Sequence, residues 1–233
     1  MRRAVAAAAA IALLAAGPAG AGCRLALALG LDVSRSINPE EYALQRLGLA
    51  AALESRDVKA ALLEPGDPVA LAVFEWSGID HQIEILPWTT IRTEEDLAAV
   101  VAAINRAPRE TLRLYTALGA ALEHGRAVLA AAPACAARTL DISGDGRNNQ
   151  GLNPGQVYSR VDFEGVTVNG LAIGGHESDI AAYYTAQVIR GAGAFVETAR
   201  NSSDFPRAIR RKLERELLQQ MLGDGNAPSR RRG

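Results

Sequence analysis

Residues 24–36 are RLALALGLDVSRS, an apolar run closed by an acid and two hydroxyls. From Leu25 to Leu31 no side chain is polar. A strand with one solvated face alternates polar and apolar residues, whereas a strand covered on both faces of a parallel sheet is apolar throughout. The run stops at Asp32, and Ser34 and Ser36 follow at alternate positions. Asn38-Pro39-Glu40-Glu41 then supplies an N-cap, a proline for the first turn and two acids facing the helix dipole, which predicts a helix to about Arg56.

Working outward, Val69–Trp76 and Gln82–Trp88 read as further strands, joined by a connection short enough for a hairpin, so the second of them is an antiparallel edge. Thr93-Glu94-Glu95-Asp96 opens a helix to about Arg106, and another runs from Thr116 to Ala131, ahead of Pro133. Thr139–Ser143 and Val166–Ile173 are strands, followed by a helix near Ile180–Arg190, a short strand at Ala194–Glu197 and an amphipathic helix from about Asp204 to Leu222. This alternation predicts an α/β fold, a three-layer α/β/α sandwich around a doubly wound, mostly parallel sheet with one antiparallel edge strand.

The chain has 233 residues, 25 Lys+Arg against 26 Asp+Glu, and 48% hydrophobic residues. That length holds one full domain of about 100–200 residues with short extensions. A net charge of -1 without a sustained basic face gives no electrostatic case for nucleic acid. Two cysteines exclude a disulfide-dense mini-domain. Residues 1–22 combine Arg2 and Arg3, an uncharged Ala/Leu/Ile stretch, Pro18 and Ala19-Gly20-Ala21, the pattern of a secretory signal peptide cleaved after Ala21. The apolar run is shorter than the ~20 residues a spanning helix needs, so no membrane span is expected and the protein is expected in the periplasm or secreted. Cys23 leaves open a lipid-anchored alternative. Residues 223–233, GDGNAPSRRRG, lack apolar periodicity and read as a disordered tail.

In an open parallel sheet, ligands bind beyond the carboxyl ends of the strands where the strand order reverses. Asp32, Ser34 and Ser36 follow one buried strand, Asp145 follows another between Gly144 and Gly146, and Thr116 stands at a helix mouth. Taken singly, Ser34, Ser36 and Thr116 read as helix caps and Asp145 as a turn former. Taken together, two carboxylates and three hydroxyls behind buried strands suit a hard cation, Mg²⁺ or Mn²⁺, that prefers oxygen donors. If the hydroxyls bind directly and the acids act mainly through water, little negative charge touches the cation, and it remains electrophilic toward a carboxylate from another molecule.

The Asp-x-Ser-x-Ser after the first strand, the Thr116-Ala117-Leu118-Gly119-Ala120-Ala121-Leu122 helix start and Gly144-Asp145-Gly146 resemble the metal-ion-dependent adhesion site of the von Willebrand factor type A domain. The wider context, Val73–Gly78 and Asp141–Gly151, is similar to a family of bacterial exported proteins of unknown function that consist of this domain alone (DUF1194-like). The resemblance covers residues 23–222 as one domain. It implies Ser34, Ser36 and Thr116 as metal ligands, Asp32 and Asp145 as direct or water-bridged acids, and a strand order in which the first strand neighbours the one at Thr139–Ser143. Two departures, Arg35 where glycine is frequent and the loop Arg113-Leu114-Tyr115 where such sites often carry small residues, put bulky groups at the rim.

With that strand order, Cys23, nine residues before Asp32, and Cys135, ten before Asp145, fall together at the opposite end of adjacent strands, where an oxidising compartment would join them; free thiols remain the alternative. His81, His124 and His176 show no metal-ligand spacing and read as surface or core residues, and Glu75, Trp76 and Trp88 read as edge packing. The functional expectation is an exported, non-enzymatic module that binds a protein partner presenting Asp or Glu to the metal. The alternatives are a metal-dependent envelope phosphatase with Asp32 as nucleophile, where a second acid would be wanted in place of Ser34, and a structural domain with a vestigial site.

Overall fold

The computed structural model describes residues 22–64, 66–108 and 114–224; residues 1–21 of the expected signal peptide and the basic end of the expected tail, 225–233, lie outside them. Six strands form one sheet: β1 (Cys23–Asp32), β2 (Val69–Trp76), β3 (Gln82–Ile91), β4 (Cys135–Gly144), β5 (Val166–Ile173) and β6 (Val196–Ala199). Their order is β3-β2-β1-β4-β5-β6, with every pair parallel except the β2–β3 hairpin. The sheet is therefore doubly wound with one antiparallel edge, and the order reverses between β1 and β4.

The sequence of β1 explains why two layers of helices cover it. Leu25, Leu27, Leu29 and Leu31 enter one core with α1 (Pro39–Leu53), α2 (Arg56–Leu62), α3 (Glu94–Arg106) and α7 (Phe205–Asp224). The small Ala26 and Ala28 alternate with them onto the other face, leaving room there for Phe74, Trp76 and the apolar side of α4 (Leu118–Ala130), together with α5 (Pro154–Tyr158) and α6 (Ile180–Tyr183). Side chains of a strand point to opposite faces in turn, so this large-small alternation within an all-apolar run assigns the thicker core to one side. Among the described residues no helix is long and apolar enough to cross a membrane.

Local signals place the helices. Asn38 accepts from the Glu41 amide while Glu41 returns a bond to the Asn38 amide, and Thr93 with Asp96 repeats this capping box. The same device at Asn153 and Gln156 opens α5, which the sequence reading passed over. The helix expected to reach Arg56 instead ends at Leu53, and Ser55 starts α2. Strand β4 begins at Cys135 rather than Thr139, because Cys135–Arg138 pair with the start of β1; with no continuous apolar run, these four residues carry no strand signal of their own. Strand β3 continues through Pro87 to Ile91, with a register irregularity where the proline cannot donate to the ladder. The segment after α6 relaxes into a π turn at Tyr184–Val188, and β6 lies two residues later than expected. Helix α7 runs to Asp224, two residues into the expected tail.

Two covalent or ionic features tie the sheet internally. Cys23 and Cys135 are register partners on β1 and β4, 4.5 Å apart at Cα, and form a disulfide. A sulfur in that bond cannot also carry a lipid. Beneath α7, fully buried Lys212 reaches Asp141 at 2.9 Å and Glu216 at 2.7 Å, and Glu216 also accepts from Asn169 at 2.7 Å. Burial works against the Lys212 charge, but the two carboxylates outweigh it and hold the ammonium protonated.

Replacing both cysteines with serine is expected to lower the unfolding free energy by about 3–5 kcal/mol, given the long loop the bond closes, measured by denaturant titration. Lys212→Ala, which strands two buried carboxylates, is expected to cost about 3–5 kcal/mol in the same assay, while Lys212→Ala combined with Asp141→Leu and Glu216→Leu recovers most of it.

Candidate metal centre

The strand-order reversal puts the ends of β1 and β4 side by side, with Leu31 opposite Ser143. Asp32 closes β1 and Asp145 follows β4, so the sheet alone delivers two carboxylates to one point. Their parity matters too: Asp32 continues the Ala26, Ala28 face, the side on which the loop into α4 arrives with Thr116.

The five residues singled out from the sequence converge here. Ser36 Oγ donates to Asp145 Oδ1 at 2.7 Å, Ser34 Oγ and Ser36 Oγ are 3.2 Å apart, and Thr116 Oγ1 lies 3.3 Å from Ser34 Oγ. The Ser34 amide donates to Asp32 Oδ1 at 2.7 Å, an Asx-type bond that folds the loop back over the strand end. Asp32, Ser34, Thr116 and Asp145 are all buried. Ser34 holds the position where a phosphatase of this kind would want a second acid, and its hydroxyl belongs to this cluster.

Buried oxygens normally have partners. Asp32 Oδ2 and Asp145 Oδ2 are buried without a hydrogen bond. Burial, with the Asp145 charge adding to it, pushes the Asp32 carboxyl up to about 7, and burial likewise raises Asp145. Two desolvated carboxylates with oxygens to spare, beside three hydroxyls, match a hard divalent cation, whose charge would favour both ionised forms. Among the described residues no three His, Cys, Asp or Glu side chains gather as a metal-holding group, so a cation at this point would rest largely on hydroxyl oxygens.

Other residues complete the site and were not legible as such. The Asn149 side chain accepts from the Thr116 amide at 2.8 Å and the Asn149 amide donates to the Thr116 carbonyl at 2.9 Å, a two-point clamp between the loop after β4 and the loop before α4. Asn148 accepts from the Gly119 amide at 3.1 Å. A Cβ at Gly119 would collide with the Leu152 carbonyl, which is why the helix start reads Thr-x-x-Gly. A Cβ at Gly144 would stand 2.9 Å from Asp32 Oδ2 and 2.5 Å from the buried Tyr184 hydroxyl, so glycine there lets β4 pass close under the acid.

His176, read from the sequence as an ordinary surface or core residue, lies at the rim, its Nε2 3.6 Å from Asp145 Oδ2 and 3.8 Å from Glu41 Oε1. It follows the end of β5, and the strand-end rule applied there would have found it. Glu75 and Trp76, read as edge packing, are instead buried at the end of β2, an interior strand, with Glu75 accepting from the Tyr42 hydroxyl at 2.5 Å. Trp88 packs at the edge and donates to the Val128 carbonyl at 3.0 Å.

A family model described as a protein of unknown function (DUF1194) matches residues 22–221. No curated protein matches the chain. Among solved structures, proximal thread matrix protein 1 from the mussel byssus aligns with a TM-score of 0.61 at 18% identity, over 84% of this chain and 46% of its own. That protein is also known with a zinc-occupied MIDAS (metal-ion-dependent adhesion site) motif. The PilB minor pilin from Streptococcus sanguinis aligns at 0.61 and 16% identity, over 91% of this chain and 65% of its own. A von Willebrand factor type A protein from Catenulispora acidiphila gives 0.57 and 15%, over 85% and 43%. The chain thus spans less than two thirds of each of these proteins, and what it shares with them is the von Willebrand factor type A fold.

Asn149→Ala removes the acceptor for the Thr116 amide and is expected to cost about 1–3 kcal/mol of stability in denaturant unfolding, with Asn149→Asp, which keeps an acceptor, costing less.

Proposed function

Because the chain belongs to the DUF1194 family and has the von Willebrand factor type A fold, we propose that it is an exported binding module. In this reading it holds Mg²⁺ or Mn²⁺ at Asp32, Ser34, Ser36, Thr116 and Asp145 and receives an Asp or Glu side chain of a protein partner there. The observation that carries the reading is the convergence of these five oxygen-bearing side chains at the reversal of strand order, with Asp32 Oδ2 and Asp145 Oδ2 buried and without a hydrogen bond. A bound cation would supply Lewis acidity toward an incoming carboxylate. The chain's own residues do the rest: the Asx bond at Asp32 and the Asn149 clamp fix the loops, and the serine and threonine hydroxyls offer neutral oxygens that leave the cation's charge only partly offset.

The zinc-occupied site of the mussel protein supports a divalent metal at the corresponding place, without choosing the metal. The disulfide is consistent with an oxidising compartment and so with residues 1–22 acting as a cleaved signal peptide ahead of a single domain at 23–222. Binding rather than catalysis is the reading this site favours, since Ser34 stands where a phosphatase of this kind would want a second acid.

Thermal unfolding tests the proposal directly. At metal concentrations about a hundredfold above Kd, linkage predicts about 2.7 kcal/mol of added stability, a rise of roughly 5–10 °C in Tm for a domain of this size. The rise is expected with Mg²⁺ or Mn²⁺, to vanish with chelator, and to be absent in Asp145→Ala. No rise at millimolar metal would overturn the reading.

A further inference from the structure

The rim of the metal centre encloses a pocket of about 310 Å³ whose lining includes Arg35, Tyr115, Thr116, Asp145, His176 and Glu177. Its charged residues fall into two classes. Glu177 is engaged by Arg147 through its Nε at 2.9 Å, and His176 stands between Asp145 and Glu41. Arg35 has no acidic partner among the described residues. Its guanidinium instead lies over the Tyr115 ring, 5.1 Å from the centroid, and that ring is itself 50% exposed.

Neither residue is placed by core packing, yet both are held. The Arg35 amide donates to the Leu114 carbonyl at 2.8 Å, tying the loop after β1 to the residue just before Tyr115. Ser34 and Ser36 on either side of Arg35 are fixed by the hydroxyl cluster. A guanidinium stacked on an aromatic face keeps its N–H edge free and pre-aligned for a two-pronged bond to a carboxylate, with little further entropy to lose.

We propose that Arg35, shelved on Tyr115, is a second anion subsite, so that the pocket selects an acidic segment of a protein partner carrying two carboxylates, one directed to the metal centre and one to Arg35. This rests on the function proposed above and deepens it. It also gives a role to the two departures from the usual small rim residues.

The test is calorimetric titration of the purified full chain in millimolar Mg²⁺ or Mn²⁺. The probes are a neutral peptide with a single Asp, peptides with two Asp separated by one to three neutral residues, and free succinate. The expected result is a two-Asp peptide that binds about tenfold tighter than the single-Asp peptide, with Arg35→Ala collapsing that difference while the metal-induced rise in Tm persists. Arg35→Lys, which keeps the charge without the fork, is expected to restore only part of it, and Tyr115→Ala to weaken it. Metal-dependent binding of the single-Asp peptide, together with an Arg35→Ala variant that keeps the tenfold difference, overturns this inference alone. Succinate binding as tightly as the best peptide overturns the choice of a protein segment in favour of a free dicarboxylate. Failure of every probe to bind in the presence of metal overturns the proposed function and this inference with it.

Discussion

In the parallel pairing of β1 with β4, Leu25–Leu31 of β1 runs beside Ala137–Ser143 of β4 in unbroken register. A strand that is apolar on both faces is stable only at the centre of a covered sheet. Here β1 takes β2 on one side and β4 on the other, and the chain must cross over it to build the second half of the sheet. That crossing fixes where polar groups gather. Asp32 and Asp145 meet because both strands end at the same level, and Cys23 and Cys135 meet because both begin at the same level.

The two buried sets of charge on this sheet are handled differently. On the α7 side, Lys212 pairs with Asp141 and Glu216, while burial still pushes the Asp141 carboxyl up to about 7 and leaves oxygens of both acids without a hydrogen bond. On the α4 side, burial likewise pushes Asp32 up to about 7, and the basic side chain nearest the acids, His176, stands at the exposed rim 3.6 Å from Asp145. Both sets hold desolvated carboxylates, but the first has a fully buried ammonium among them and the second borders an open pocket. That access, at the strand ends, is the physical case for treating them as a binding centre.

Much of this was legible in the sequence because it is carried by short, local signals. The run at Leu25–Leu31 announces a central strand, Asn38 and Thr93 announce helix starts, and the hydroxyls at Ser34, Ser36 and Thr116 stand out because they follow apolar segments. What escaped notice depends on distant partners. Cys135–Arg138 forms strand only because β1 lies beside it, Asn149 acquires its role only when the loop before α4 is brought to it, and His176 is ordinary until β5 delivers it to the rim. The π turn at Tyr184–Val188 was not legible either, and its first residue, Tyr184, packs close to Gly170 and Gly144 on the neighbouring strands.

The disulfide also has a mechanical meaning. With residues 1–22 removed, the mature chain would open at the first residue of its central strand, and a free chain end is where a sheet starts to fray. Bonded to Cys135, Cys23 is held to β4 covalently at that end. Peeling β1 from β4 one hydrogen bond at a time, starting from its first residue, is thereby blocked. The far ends of the same two strands, which carry Asp32 and lead to Asp145, keep their register because a bond at the near end also stops one strand slipping along the other.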